Sequence, residues 1–182
     1  MIANPAPSTP ADLKGKTNDG MVNASFHQVL YLIGRVNYTW TNTESLLVHV
    51  IAGLAETQKE VATIIYLSLN TTKARIDLVE RLSKRANICD ELRNAILNLT
   101  KDLAKASRQR NELNHSLYSF DENNGDVTTI MMRISATKTG LKMGRKQQLD
   151  AARIEKIASV VHEIESLNNR AWAIIFKFEM PV

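Results

Sequence analysis

Between residues 108 and 115 the chain reads RQRNELNH, a run rich in side chains that handle a charged, proton-exchanging substrate. Arginine presents a rigid fork of donors that stabilises charge on phosphoryl oxygens. Histidine, with an unperturbed pKa of about 6.5, carries a proton in either direction near neutral pH. On a helix at about 100° per residue, Arg108, Asn111, Glu112 and His115 share one stripe, and Arg110 lies about 140° from His115. Asn111 stands four residues before His115, so its amide is expected to bond and orient the imidazole, while Arg110 reaches round to the same groove. The set suits a phosphate diester whose nucleophile comes with the substrate, as the 2′-hydroxyl of RNA does. His115 then acts as general base or acid and Arg110 stabilises the phosphorane. No metal and no other cofactor is expected.

The helix that carries this run keeps Leu92, Ile96, Leu99, Leu103, Ala106, Arg110, Leu113 and Leu117 in steps of three and four, which puts Arg110 on the core side. Asn87 followed by Asp90 marks its start. Before it, Leu30, Ile33, Asn37, Trp40, Glu44, Leu47 and Ile51 predict one long helix from about residue 23 to 56. A capping box, Thr57 with Glu60, opens a short helix carrying Val61, Ile64, Ile65 and Leu67. A third helix, to about Arg85, buries Ile76, Val79 and Leu82. The closing helix, from about Leu149 to Phe178, repeats the pattern with Ile154, Ile157, Val161, Ile164, Ala171 and Ile175.

Between the last two helices, DENNGD is a turn cluster. VTTIMMRIS then alternates Ile130, Met132 and Ile134 against Thr129, Met131 and Arg133, as a half-buried strand does, with LYSF as its hairpin partner. Arg133, Lys138, Lys142, Arg145 and Lys146 follow one another without an acid, in what reads as a basic loop; a polyanion fits there, and so does a plain solvated loop. The fold class is therefore all-α: an antiparallel bundle of four to five helices with a small β-hairpin inserted before the last helix.

Length and composition set the frame. The 182 residues suffice for one domain, here 21–182, with the hairpin and basic loop at about 117–146. Residues 1–20, rich in Pro, Ser, Thr, Asn and Gly, read as a disordered tail. The single cysteine, Cys89, excludes an intramolecular disulfide and a cysteine-based zinc site. The absence of a signal pattern or a long apolar run predicts a soluble, cytoplasmic chain with no membrane partner. The net charge of +4 is mild.

The run R110-N111-E112-L113-N114-H115 resembles the motif of the HEPN family of small helical ribonucleases: Arg, a polar residue, a few residues, then His. The resemblance extends over residues 21–180 in pattern, through the long first helix with Trp40 and Glu44, the leucines leading into the motif, HSLY after it, a hairpin, and a closing helix with Trp172. It implies a four- or five-helix bundle that dimerises so that two motifs share a cleft, metal-independent RNA cleavage, and a role as toxin or antiviral nuclease, the former with a neutralising partner protein. Some members only bind. The family spacing also admits Arg108 as the motif arginine; with Arg110 preferred because Asn111 follows it, Arg108 becomes a second contact to RNA, alongside Lys138, Lys142, Arg145 and Lys146.

Two other readings compete. Glu44, on the apolar face of the first helix, is the natural partner of Arg110, either in a buried ion pair that serves only the fold or as an orienting group inside a cleft. A non-catalytic module that binds RNA, a nucleotide or a partner protein, or a purely structural dimer, would use the same groove. His27, His49 and His162 lack helical metal-site spacing and read as surface or flanking residues. Trp40 and Trp172 read as packing, and Met131, Met132 and Met143 as gap-fillers.

Overall fold

The computed structural model describes the backbone of residues 19–120, 127–144 and 146–182, and their side chains from His27 onward apart from Phe120, Lys142 and Met143. The expected tail, the DENNGD turn and Arg145 lie outside the described residues. The chain is mostly helical, with a small antiparallel sheet before the last helix.

The predicted first helix divides into α1 (Asp19–Glu44) and α2 (Leu47–Ala55). Leu46 keeps right-handed helical backbone, but the ladder tightens to three-residue steps: Leu46 N–H donates to Thr43 O at 3.2 Å and Val48 N–H to Ser45 O at 3.0 Å. The cause lies in the TNTES run. Thr43 Oγ1 donates back to Thr39 O and Ser45 Oγ to Asn42 O, and hydroxyls that bond a turn back bend helices. Past the bend α2 is almost wholly buried, which takes His49 inside, where its Nδ1 lies 2.7 Å from Pro181 O. The surface reading of His49 therefore gives way.

In α3 (Lys59–Ser68) the expected capping box is absent: Gln58 precedes the helix without a side-chain cap. Val61, Ile64 and Leu67 point outward, while Ala62 and Tyr66 are buried, because the helix packs on α2 with Tyr66 clasped under the Arg75 guanidinium, 4.0 Å above its ring. Of the four apolar residues expected on this helix, Ile65 packs against the core. Helix α4 (Thr72–Leu82) is capped by Thr71, whose Oγ1 accepts from Ala74 N–H, and buries Ile76 and Val79 as expected.

Helix α5 (Asp90–Asn114) starts after Cys89, since Asn87 donates to Glu56 instead of capping. Asp90 and Glu91 in its first turn suit the positive end of the helix dipole. Its apolar face is buried through Leu113, and the helix ends at His115, so Leu117 is an exposed strand residue. Helix α6 (Ala151–Lys177), capped by Asp150, lies along α1 and α5 and buries Ile157, Val161, Ile164, Ala171 and Ile175 as the periodicity predicts. Trp40, Leu47, Ile51, Leu99 and Leu103 fill the core beside them.

Strand β1 (Ser116–Phe120) pairs antiparallel with β2 (Val127–Met131), Ser116 opposite Met131, so the predicted hairpin forms. The inward face differs from the expected one: Val127 and Thr129 are buried, while Met132 and Ile134 are exposed. At Arg133, whose N–H donates to Met131 O at 2.8 Å, the chain turns out of the sheet. The expected basic loop is instead a second hairpin, β3 (Ile134–Thr137) with β4 (Gly140–Met143), closed by the two-residue turn Lys138-Thr139. Strand β5 (Lys146–Gln148) then returns to the free edge of β2. Gly144 makes the return possible. Its φ is +48°, and a Cβ there would sit 2.9 Å from Met131 O.

Candidate functional site

The C-terminal turn of α5 faces α1 at Asn37, and the two helices exchange polar contacts there. Asn37 and Asn114 form a reciprocal amide pair, Asn37 Nδ2 to Asn114 Oδ1 at 3.0 Å and Asn114 Nδ2 to Asn37 Oδ1 at 2.7 Å. Arg110 is half-buried against this pair: its Nε donates to Asn37 Oδ1 at 3.2 Å and its Nη1 to Asn111 Oδ1 at 3.1 Å. Among the described residues the partners of this guanidinium are neutral amides and no carboxylate pairs with it. Amides orient a guanidinium without pairing its charge, and this one is half-buried at the helix seam.

Glu44 is occupied elsewhere. One carboxylate oxygen lies 3.2 Å from Arg75 Nη1 and the other accepts from Thr72 Oγ1 at 2.5 Å. That buried pair joins α1 to α4 and leaves Arg110 without an acidic partner from the first helix.

His115 terminates α5 with φ −99° and ψ 16°, its N–H bonded to Asn111 O at 3.0 Å and its carbonyl accepting from Met132 N–H at 2.8 Å. Its imidazole is exposed and, among the described residues, holds no hydrogen bond. The expected amide bond from Asn111 to the ring is replaced by the bond from Arg110 to Asn111. The chain on either side of His115 is tied down. Ser116 Oγ donates to Glu112 O at 2.6 Å, Glu112 pairs with Arg153 of α6 at 2.7 Å, and Tyr118 OH donates to Leu113 O at 3.0 Å. Burial pushes the Tyr118 phenol above its ordinary range, partly opposed by Arg153, so the hydroxyl stays a donor.

Among the other residues singled out in the sequence, Arg108 is exposed on α5, Lys138 sits at the tip of the second hairpin, Lys142 lies on β4 and Lys146 on β5; Arg145 is outside the described residues. Reasoning from sequence missed Asn37 and Asn114. Asn37 occupied a core register position between Ile33 and Trp40, the same anomaly that marked Arg110, and pairing the two anomalies across facing helices would have found the contact.

Among the described residues no three His, Cys, Asp or Glu side chains gather as metal ligands, and no helix is long and apolar enough to cross a membrane. A cavity of about 180 Å³, lined by Gly53, Glu56, Leu92, Phe178 and Met180, lies by the first turn of α5, so the length of that helix separates it from His115. No family model, no curated protein and no solved structure matches the chain.

Proposed function

We propose that the chain is an endoribonuclease of the HEPN type, built on an antiparallel helical bundle, in which Arg110 and His115 act on a phosphodiester of RNA. The observation that supports this reading is the half-buried Arg110 guanidinium, held among the described residues by amides alone at the α1–α5 seam, on the helix that ends at His115. Arg75, which ties α4 to α1, pairs with a carboxylate instead, that of Glu44. In the reaction the 2′-oxygen attacks the adjacent phosphorus, loses its proton to a base, and the bond to the 5′-oxygen breaks as an acid protonates it. The products are a 2′,3′-cyclic phosphate and a 5′-hydroxyl. Arg110 bonds the phosphoryl oxygens as charge builds on them. Asn111 and the Asn37–Asn114 pair hold Arg110 in position, and the nucleophile comes from the substrate, so no metal is needed to generate it.

One imidazole does not serve as base and acid on opposite sides of the same phosphorus, and a homodimer supplies the second His115. The α1 surface beside Asn37 suits that contact: Leu30, Tyr31, Gly34 and Tyr38 are exposed and uncharged, and nothing lies within 4 Å of a Cβ built on Gly34. Bulky tyrosines flanking a glycine hollow on one stripe are self-complementary, as a two-fold interface requires. A cytoplasmic toxin or defence nuclease, held in check by a neutralising partner protein when a toxin, is the role the resemblance supports.

The test is RNA cleavage by the purified protein in EDTA. The reading requires cyclic-phosphate ends and intact DNA; a need for divalent metal, or cleavage of DNA, rejects it. A second reading, a non-catalytic module that binds RNA, a nucleotide or a partner protein, draws on the unanchored imidazole of His115. Salt-sensitive RNA binding without cleavage would select its RNA-binding form.

A further inference from the structure

We infer that the β3–β4 hairpin is an arm that grips single-stranded RNA beyond the scissile phosphate, an inference that rests on the proposed nuclease site and adds a substrate-holding element to it. The described side chains of the arm stand open to solvent. All four residues of β3 are exposed, and Ile134 and Leu141 are 62% and 72% exposed. The register, Ala136 opposite Leu141 and Ile134 two residues before Ala136, puts these three on one apolar face. An isolated two-stranded hairpin is marginal in water, so a ribbon with an open apolar face is built to be covered.

Charge identifies the occupant. Residues 127–149 contain Arg133, Lys138, Lys142, Arg145 and Lys146 and no Asp or Glu, and the Arg133, Lys138 and Lys146 side chains are exposed. A covering protein of ordinary composition has no use for so one-signed a surface, whereas a nucleic acid strand offers phosphates to the cations and sugar and base faces to the aliphatic side.

Position ties the arm to the site. Met132, one residue before the turn at Arg133, donates its N–H to the His115 carbonyl at 2.8 Å, and Gly144 N–H closes the base of the arm on Arg133 O at 2.9 Å. A strand held at His115 therefore meets the root of the arm. Four residues at about 3.3 Å each give the arm a reach of about 13 Å, roughly three to four stacked nucleotides at about 3.4 Å.

The test compares the full chain with a trimmed chain in which residues 134–143 are replaced by Asn-Gly, joining the positions that already bond at the base. A 12-nucleotide single-stranded RNA with 2′-O-methyl groups, which cannot be cleaved, is the binding probe; the same RNA with free hydroxyls and a dinucleotide are the substrates. The expected result is binding at least tenfold weaker in the trimmed chain, a flatter dependence on salt, and a collapse of the preference for the long substrate over the dinucleotide. A second variant, Arg133→Gln with Lys138→Gln, keeps the arm and should also flatten the salt dependence, so a folding defect in the trimmed chain does not decide the matter. Equal affinity and equal salt slope overturn the inference. So does loss of a dimer at unchanged RNA affinity, which makes the arm a contact between copies, or binding to anionic phosphatidylserine vesicles without binding to RNA. If neither protein cleaves any RNA but the affinity difference persists, the arm stands and the nuclease reading fails.

Discussion

Helical register places Arg110 among apolar neighbours of α5, and Asn37 and Glu44 among those of α1; in the fold Arg110 meets Asn37. The amide orients the guanidinium through one bond at 3.2 Å without neutralising it, as the proposed phosphate-binding role of Arg110 requires. Asn37→Asp tests that role. A carboxylate there pairs with Arg110, so the thermal midpoint is expected to hold or rise while RNA cleavage falls at least tenfold; Asn37→Ala loses a few bonds near water, worth about 1 kcal/mol each, and cleaves at an intermediate rate. Cleavage unchanged in Asn37→Asp would mean that the charge of Arg110 is not used. The sequence displayed the anomaly of Arg110 and the spacing to His115, because register and composition are local. It did not display that Glu44 belongs to Arg75, since both arginines are compatible with an acid on the first helix and only the packing of α4 against α2 decides between them.

At the scale of elements, long amphipathic helices were legible and polar interruptions were not. Helices α5 and α6 bury the positions their spacing predicts, because one apolar face dominates over seven turns. The bend at Ser45–Leu46 arises from hydroxyls competing for backbone carbonyls, and the second hairpin from a turn at Arg133 and the left-handed glycine at 144; none of these alters hydrophobic period. The pair of Glu44 with Arg75, whose side chains are 10% and 17% exposed, also engages Tyr66 and Thr72 and joins α1 to α4. Arg75→Ala removes one half and leaves a buried carboxylate, so it is expected to cost about 3 kcal/mol or more in denaturant unfolding. Arg110→Ala, which breaks no ion pair, should cost about 1 kcal/mol. An inverted order would return Arg110 to a purely structural role.

For the whole molecule, the proposed dimer would cover the exposed stripe of Leu30, Tyr31, Gly34 and Tyr38, at whose edge Arg35 Nη1 donates to Tyr31 OH at 3.3 Å. Gly34 gives access to the stripe without touching the core: it is exposed, and nothing stands within 4 Å of an added Cβ. Replacing a helical glycine gains up to about 1 kcal/mol of helix propensity, so Gly34→Arg is expected to leave the thermal midpoint unchanged or higher. Sedimentation should then show the wild-type chain as a dimer and Gly34→Arg as a monomer that cleaves RNA poorly. A wild-type monomer, or a variant that remains dimeric and active, would place the second His115 elsewhere or dispense with it.

Chemistry on RNA by Arg110 and His115 is tested by cleavage of a labelled single-stranded RNA in EDTA by the wild-type chain and by His115→Ala, with thermal unfolding of both. His115 is exposed and its ring makes no bond among the described residues, so its removal should leave the midpoint in place. A positioned acid or base contributes about 10²–10⁴ in rate, and cleavage should fall by that factor. Wild-type cleavage that survives His115→Ala undiminished would remove His115 from the chemistry, and a wild-type chain that cleaves no RNA at all is no nuclease.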